Sequence, residues 1–302
     1  MSERVPRISV GMPVYDAAPY LRRSIESILT QTVGDLELVI SDNASTDGSD
    51  EICRAIAATD PRVHYARNAE NIGAVENYNA VFRRSRAPYF KWAAASDFCR
   101  PTFLERCSAV LDARSDVVLC YPRTRLFDET TGTTTDYQDD LDLQDDDPVT
   151  RFIHCQERLR LNNAMNGVVR REALARTALI KPFLSSDCSM LVELALHGKF
   201  VEVADYLFHR RMEPRTSTKL KSREEAYRHW DPRSRGPVTM VSWKTAREYW
   251  RAVRRAPLSL GQRARLCAHL LRWNYWQRAE LARELREAAA ARGRRSGEGG
   301  AR

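Results

Sequence analysis

The chain has no apolar run approaching the roughly eighteen residues that a membrane-crossing helix requires. Its opening Met-Ser-Glu-Arg-Val-Pro-Arg also lacks the apolar segment of a secretory signal. Together these absences lead to the expectation of a soluble, cytoplasmic protein. The seven cysteines are odd in number, scattered and free of any Cys-x-x-Cys pair. That argues against a disulfide framework or a zinc site and makes them, most simply, buried thiols. No RNA-binding signature and no paired-histidine finger is present, so the net charge of +8 does not by itself point to nucleic acid. Much of the excess lies in arginine-rich sequence after Lys219, whereas residues 136–147 are acidic (Asp136, Asp139, Asp140, Asp142, Asp145, Asp146, Asp147). Such a basic C-terminal region more often marks a solvated face or an acidic partner than base readout.

What is present fits an α/β protein. With 302 residues, 43% of them hydrophobic, there is material for one large domain and a smaller appendage. Arg7 to Val14 reads as a strand, closed by Pro13 and a turn-prone stretch through Pro19. Leu21, Ile25, Ile28 and Leu29 then recur at helical spacing, and Leu36 to Ser41 is a second strand running into the polar loop Asp42 to Gly48. Strand, helix, strand form a right-handed βαβ unit whose two loops leave the same sheet edge. A helix over Ser49 to Ala58, a short strand at Val63 to Tyr65, a polar turn at Asn68 to Gly73 and a helix over Val75 to Arg84 follow. The repetition predicts a mostly parallel sheet flanked by helices.

The stretch from Tyr89 to Pro101 organises the rest. Its apolar run to Ala95 fits a strand buried on both faces, and it ends in Ser96-Asp97. Ligands bind at the carboxyl edge of open α/β sheets, where a lone carboxylate can hold a divalent cation against nucleotide phosphates. On this stretch alone a cap of the next helix is the favoured reading of Asp97, because capping is far commoner than catalysis. Phe103 to Leu111 reads as an amphipathic helix and Val117 to Tyr121 as a buried strand. Asp128 to Pro148 is too polar for a core and predicts a mobile, solvated loop on the acceptor side.

The segment Ile8 to Asp16, the loop Ser41 to Gly48, the turn Arg67-Asn68-x-x-Asn71-x-Gly73 and Ser96-Asp97 together resemble an inverting family 2 glycosyltransferase of the GT-A fold, over roughly residues 7–217. The resemblance implies that Pro13, Val14 and Tyr15 line the base and ribose of a nucleotide. It implies that Asp42 accepts a hydrogen bond from the base, and that Asn71 and Asn77 make further nucleotide contacts. Asp97 would be a metal ligand for Mn2+ or Mg2+, with Ser96 at a position usually acidic. Asp187, in Leu184 to Ser189, would be the general base. Glu213, where many relatives carry histidine, would be a second oxygen ligand that offsets the missing charge at Ser96, with His209 as its alternative. Taken singly, Asp42, Asp47 and Asp187 also read as helix caps, and Tyr15 as packing under its loop.

The implied domains are a GT-A domain over 1–218, a C-terminal helical region over 219–291 and a disordered tail over 292–302. Apolar stripes among arginines after Val238 could pack on the catalytic domain, form a homodimer or touch a membrane peripherally. The implied activity is transfer from a UDP- or dTDP-sugar to a small-molecule, lipid or glycan acceptor. A nucleotidylyltransferase is a same-fold rival, and a non-catalytic nucleotide-sugar scaffold is a rival of another class.

Overall fold

A computed structural model of the chain describes residues 4–212 and 240–298, with side chains up to 290. The first βαβ unit is β1 (Ile8–Val14), α1 (Ala18–Leu29) and β2 (Leu36–Asp42). Every residue of both strands is buried, as expected where helices cover the two faces of a parallel pair. α2 (Ser49–Ala57), β3 (Val63–Arg67), α3 (Ala74–Arg84) and β4 (Tyr89–Trp92) complete a four-stranded parallel block in the order β3-β2-β1-β4. Gly11 is required at its centre, because a Cβ there would lie 2.7 Å from Val81 and 2.8 Å from the Phe90 ring.

Beyond β4 the sheet is mixed. β5 (Phe98–Cys99), α4 (Phe103–Ala113), β6 (Val117–Asp128) and β7 (Thr133–Tyr137) come first in the chain. α5 (Pro148–Arg158), a 3-10 turn at Asn163–Asn166, β8 (Val168–Arg170), α6 (Arg171–Ala175), α7 (Ser186–Leu194) and β9 (Lys199–Met212) follow. β8 runs antiparallel between β4 and β6, β9 is parallel to β6, and β5 pairs antiparallel with β9. The sheet is therefore wholly parallel in its first half and mixed in its second, where β6 and β9 still run parallel. β4 also stops at Trp92, short of Ala95, because the chain peels away there to reach β5.

The acidic segment is better ordered than its composition predicts. β7 pairs with β6, and Leu141 and Leu143 are fully buried. The backbones of Leu143 and Phe200 exchange two hydrogen bonds of 3.1 Å, and Asp147 caps α5 by accepting from Val149 and Thr150. Two leucines among the aspartates supply the apolar anchorage that outweighs the polar composition.

Three helices close the chain: α8 (Val241–Arg255), α9 (Leu260–Trp276) and α10 (Arg278–Glu298). Packing, one of the three roles left open by the sequence, is observed. Tyr249, Ala252, Val253, Leu266 and Leu270 join the hydrophobic cluster that covers one face of the sheet. Tyr249 meets Phe152 edge-on at 5.4 Å, and Arg255 forks onto Glu193 at 2.7 and 2.9 Å. α10 runs on to Glu298, into the stretch 292–302 predicted to be disordered; residues 299–302 and 213–239 lie outside the described residues.

Candidate active site

The loops after β1 and β2 are stitched together at the sheet's carboxyl edge. Asp16, at φ 46°, accepts from Thr46 N (2.8 Å), and its own N–H donates to Ser45 Oγ (3.0 Å). Ala17 N donates to Ser49 Oγ (3.0 Å) and Ala18 N to Asp47 Oδ2 (2.9 Å). Gly48, not an aspartate, occupies the N-cap of α2. Asp47 thus ties two loops together and, from the position before that N-cap, also accepts from Ser49 N (3.1 Å) at the start of α2.

Asp42 has no accessible surface. Its Oδ1 accepts from Ser45 N (2.9 Å), its Oδ2 accepts from the Tyr65 hydroxyl (3.0 Å), and Arg67 stands 3.5 Å away. Burial, helped by the bond to Asp42, pushes the Tyr65 phenol up to about 12. In this conformation Asp42 is a buried, hydrogen-bonded anchor. The Val14 side chain is fully buried in the core and its carbonyl accepts from Asn43 N (2.8 Å). Pro13 is buried too, and only Tyr15, 48% exposed, offers a ring to a ligand.

The asparagines form a brace. Asn77 donates to the carbonyls of Val14 (3.3 Å) and Ser41 (2.9 Å) and accepts from Asn68 (3.2 Å), so its amide is fully engaged. Asn71 Oδ1 accepts from Asn43 Nδ2 (2.7 Å) and Gly73 N (2.9 Å). Both amide hydrogens of Asn77 thus go to the backbone at the ends of β1 and β2.

The second half of the sheet supplies the reactive groups. Asp97 is 8% exposed, and its Oδ1 accepts from Arg211 N (2.9 Å) in β9. Thr102, not Asp97, sits at the N-cap of α4. Burial pushes the Asp97 carboxyl up to about 6, against the pull of the Arg211 N–H and the Arg210 charge. Beneath it the ammonium of Lys91, fully buried, donates to the carbonyls of Trp92 and Asn166 and lies 4.4 Å over the Phe103 ring. Burial lowers the Lys91 pKa.

Asp187 lies in the first turn of α7, after the Ser185 cap position, and is half-buried. Burial raises its pKa; the hydrogen bond that Asn162 Nδ2 donates to its Oδ2 (2.6 Å) opposes the rise. Asn162 adopts a left-handed conformation, φ 57°, which asparagine tolerates better than most residues. Next to it, Asn163 Oδ1 accepts from Arg210 Nη1 (2.7 Å). The Tyr78 phenol, pushed up to about 12 mainly by burial, is influenced by Asp97, Asp187 and Arg210 together. A chain of hydrogen bonds links the two carboxylates, far apart in sequence: Asn162 donates to Asp187, Arg210 to the neighbouring Asn163, and Arg211 N to Asp97.

A family model described as "Glycosyl transferase family 2" matches residues 9–174. The chain belongs to glycosyl transferase family 2. Over 105 residues it is 35% identical to a chondroitin synthase of Escherichia coli, covering 35% of this chain and 15% of that protein. A putative teichuronic acid biosynthesis glycosyltransferase, TuaG, of Bacillus subtilis (strain 168) is 27% identical over 169 residues, 56% of this chain and 61% of the relative. The chain thus spans only part of the length of these curated relatives. Among solved structures, S. aureus TarS 1-349 in complex with UDP superposes with a TM-score of 0.63 at 13% identity, covering 89% of this chain and 72% of that one. Mannosyltransferase PcManGT from Pyrobaculum calidifontis, in complex with GDP-Man and Mn2+, superposes at 0.55 with 17% identity, covering 96% and 76%. The family 2 domain thus has the GT-A fold.

Three residues that contact or flank these carboxylates escaped the sequence reading: Lys91, hidden inside an apolar run, and Asn162 and Arg210, which carry no local motif. Ser96 is half-buried, its Oγ 3.5 Å from Asp97 Oδ1. His209 stacks on Phe98 at 4.5 Å, and burial together with nearby arginines lowers it to about 4, so it is neutral at pH 7. Glu213 lies outside the described residues. Among the described residues no cluster of three His, Cys, Asp or Glu could enclose a metal. A lone carboxylate nonetheless fits a hard cation that is otherwise held by substrate phosphates and water. Asp97 fits in this sense as a buried carboxylate at the sheet's carboxyl edge whose Oδ1 alone accepts from the backbone among the contacts of the described residues.

Proposed function

We propose that the chain transfers a sugar, with inversion, from a nucleoside diphosphate sugar to a hydroxyl or amine of a small-molecule, lipid or glycan acceptor. The observation that carries this reading is the run of contacts Asp187–Asn162, Asn163–Arg210 and Arg211–Asp97, which ties the two carboxylates to one stretch of β9. The complexes of TarS with UDP and UDP-GlcNAc and of PcManGT with GDP-Man support a nucleoside diphosphate sugar as donor, with uridine or thymidine our preferred bases.

Asp97, with Glu213 as a second candidate ligand, would hold Mn2+ or Mg2+. That cation supplies neutralisation of the diphosphate as it departs. Tyr15 would pack against the base, and Arg210 adds positive charge beside the leaving group. Asp187 takes the proton of the acceptor as its oxygen or nitrogen bonds to the anomeric carbon, while the bond to the diphosphate breaks and the diphosphate keeps the electron pair. A carboxylate whose pKa burial has raised is closer to neutrality, where a general base is most effective.

Asp187→Asn is the test. It should leave the melting temperature and donor affinity nearly unchanged while transfer falls by about 10²–10⁴-fold. Near-normal transfer by a folded variant removes Asp187 as the base. Nucleotide binding without any turnover by the unaltered chain, with manganese added, would favour the scaffold reading that Ser96 prompts.

A further inference from the structure

The last-but-one helix has two apolar faces. Its inner face buries Leu266, His269 and Leu270 against the sheet domain. On the outer face Leu260, Leu271 and Tyr275 are 86, 63 and 62% exposed, and Trp276, on the flank at the helix's end, is 60% exposed. Ala264 and Ala268, also exposed, fill the intervals, so the stripe runs nearly the length of a helix about 25 Å long. Monomeric proteins rarely leave such a contiguous apolar face to water.

The charges on this face decide what fits it. α9 contains no acidic residue. Arg272 stands 5.8 Å over the Trp276 ring, and the Arg278 guanidinium lies 4.1 Å over Tyr275, both arginines being exposed. The apolar stripe is thus rimmed by cations held on aromatic rings. A second copy meeting this face would set arginine against arginine. An anionic headgroup layer instead takes the arginines, while the acyl boundary takes Leu271 and the rings, whose polar tips suit that depth. We propose that the outer face of α9 is a docking surface for an anionic phospholipid bilayer, with the helix lying in the plane of the interface.

The experiment is co-sedimentation of the full chain with vesicles of phosphatidylcholine alone and of phosphatidylcholine mixed with phosphatidylglycerol, at low and high salt. The chain should pellet with the anionic vesicles, be released by salt, and stay with the supernatant in neutral ones. The triple variant Leu271→Ser, Tyr275→Ser, Trp276→Ser should keep its melting temperature yet partition at least about tenfold more weakly, because these side chains supply most of the apolar area that would enter the bilayer. Arg272→Glu with Arg278→Glu should erase the preference for anionic vesicles. Three results would each overturn the proposal: no sedimentation with anionic vesicles, sedimentation that the triple variant retains, or a dimer in analytical ultracentrifugation that the triple variant dissociates.

Discussion

At Asp97 stability and activity pull in opposite directions. The native carboxyl, at about 6, binds its proton more tightly than the unfolded one near 3.8. Between about pH 4 and 6 the folded state therefore holds more protons, and this group's contribution to stability falls as pH rises through that window, the reverse of a salt-bridged carboxylate. Asp97→Asn removes the buried charge and should stabilise the protein at pH 7 by on the order of 1–3 kcal/mol, read by urea denaturation, while abolishing metal-dependent turnover. Lower stability with activity intact would contradict both halves. Asn162 makes the second residue-scale case. Its donated hydrogen bond favours the ionised form of Asp187, so Asn162→Ala should raise the pKa of the base and move the acid limb of kcat/KM to higher pH. A profile that drops in height without moving would assign Asn162 to structure alone. Neither contact has a local signature, since Asn162 lies 25 positions from Asp187 and Arg211 lies 114 from Asp97.

Among the elements, α7 has the most demanding task, because it presents Asp187 at one end and is buttressed from behind. Glu193, 2% exposed, accepts from Ala178 N (2.9 Å) and from both arms of the Arg255 fork in α8. Arg255→Ala strands this carboxylate, and with Arg255 itself about one-third exposed the loss should be about 1–3 kcal/mol, less than for a fully buried pair. Thermal denaturation checks the value. Unchanged stability would mean that α8 is docked by Tyr249 and its apolar neighbours alone. Helical spacing in Leu21, Ile25 and Ile28 made α1 legible, and so did the periodicity of α3 and α4. The acidic stretch was misread for a physical reason: composition averages over residues, whereas two leucines at the right register bind a whole segment to the core.

On the scale of the whole molecule, the site is assembled from both halves of the sheet, so a ligand that bridges them should stabilise the fold as a unit. A nucleoside diphosphate sugar at about 100 times its Kd would add about 2.7 kcal/mol. In a thermal-shift panel the true donor should raise Tm by a few degrees with manganese present, and by less with Asp97→Asn. Equal shifts in the two proteins would separate donor binding from Asp97. By itself the sequence determined the parallel βαβ block, the edge at which its loops open and the aspartates worth testing, because hydrophobic periodicity and turn chemistry are local properties. Only the tertiary structure decided which of those polar groups remain free to act. It buried Asp42 and Val14, engaged Asn77 in the backbone, brought Asn162 onto Asp187 and set Lys91 beneath Asp97. Hydrogen-bond partners and desolvation depend on which distant segments pack together, and no local pattern encodes that choice.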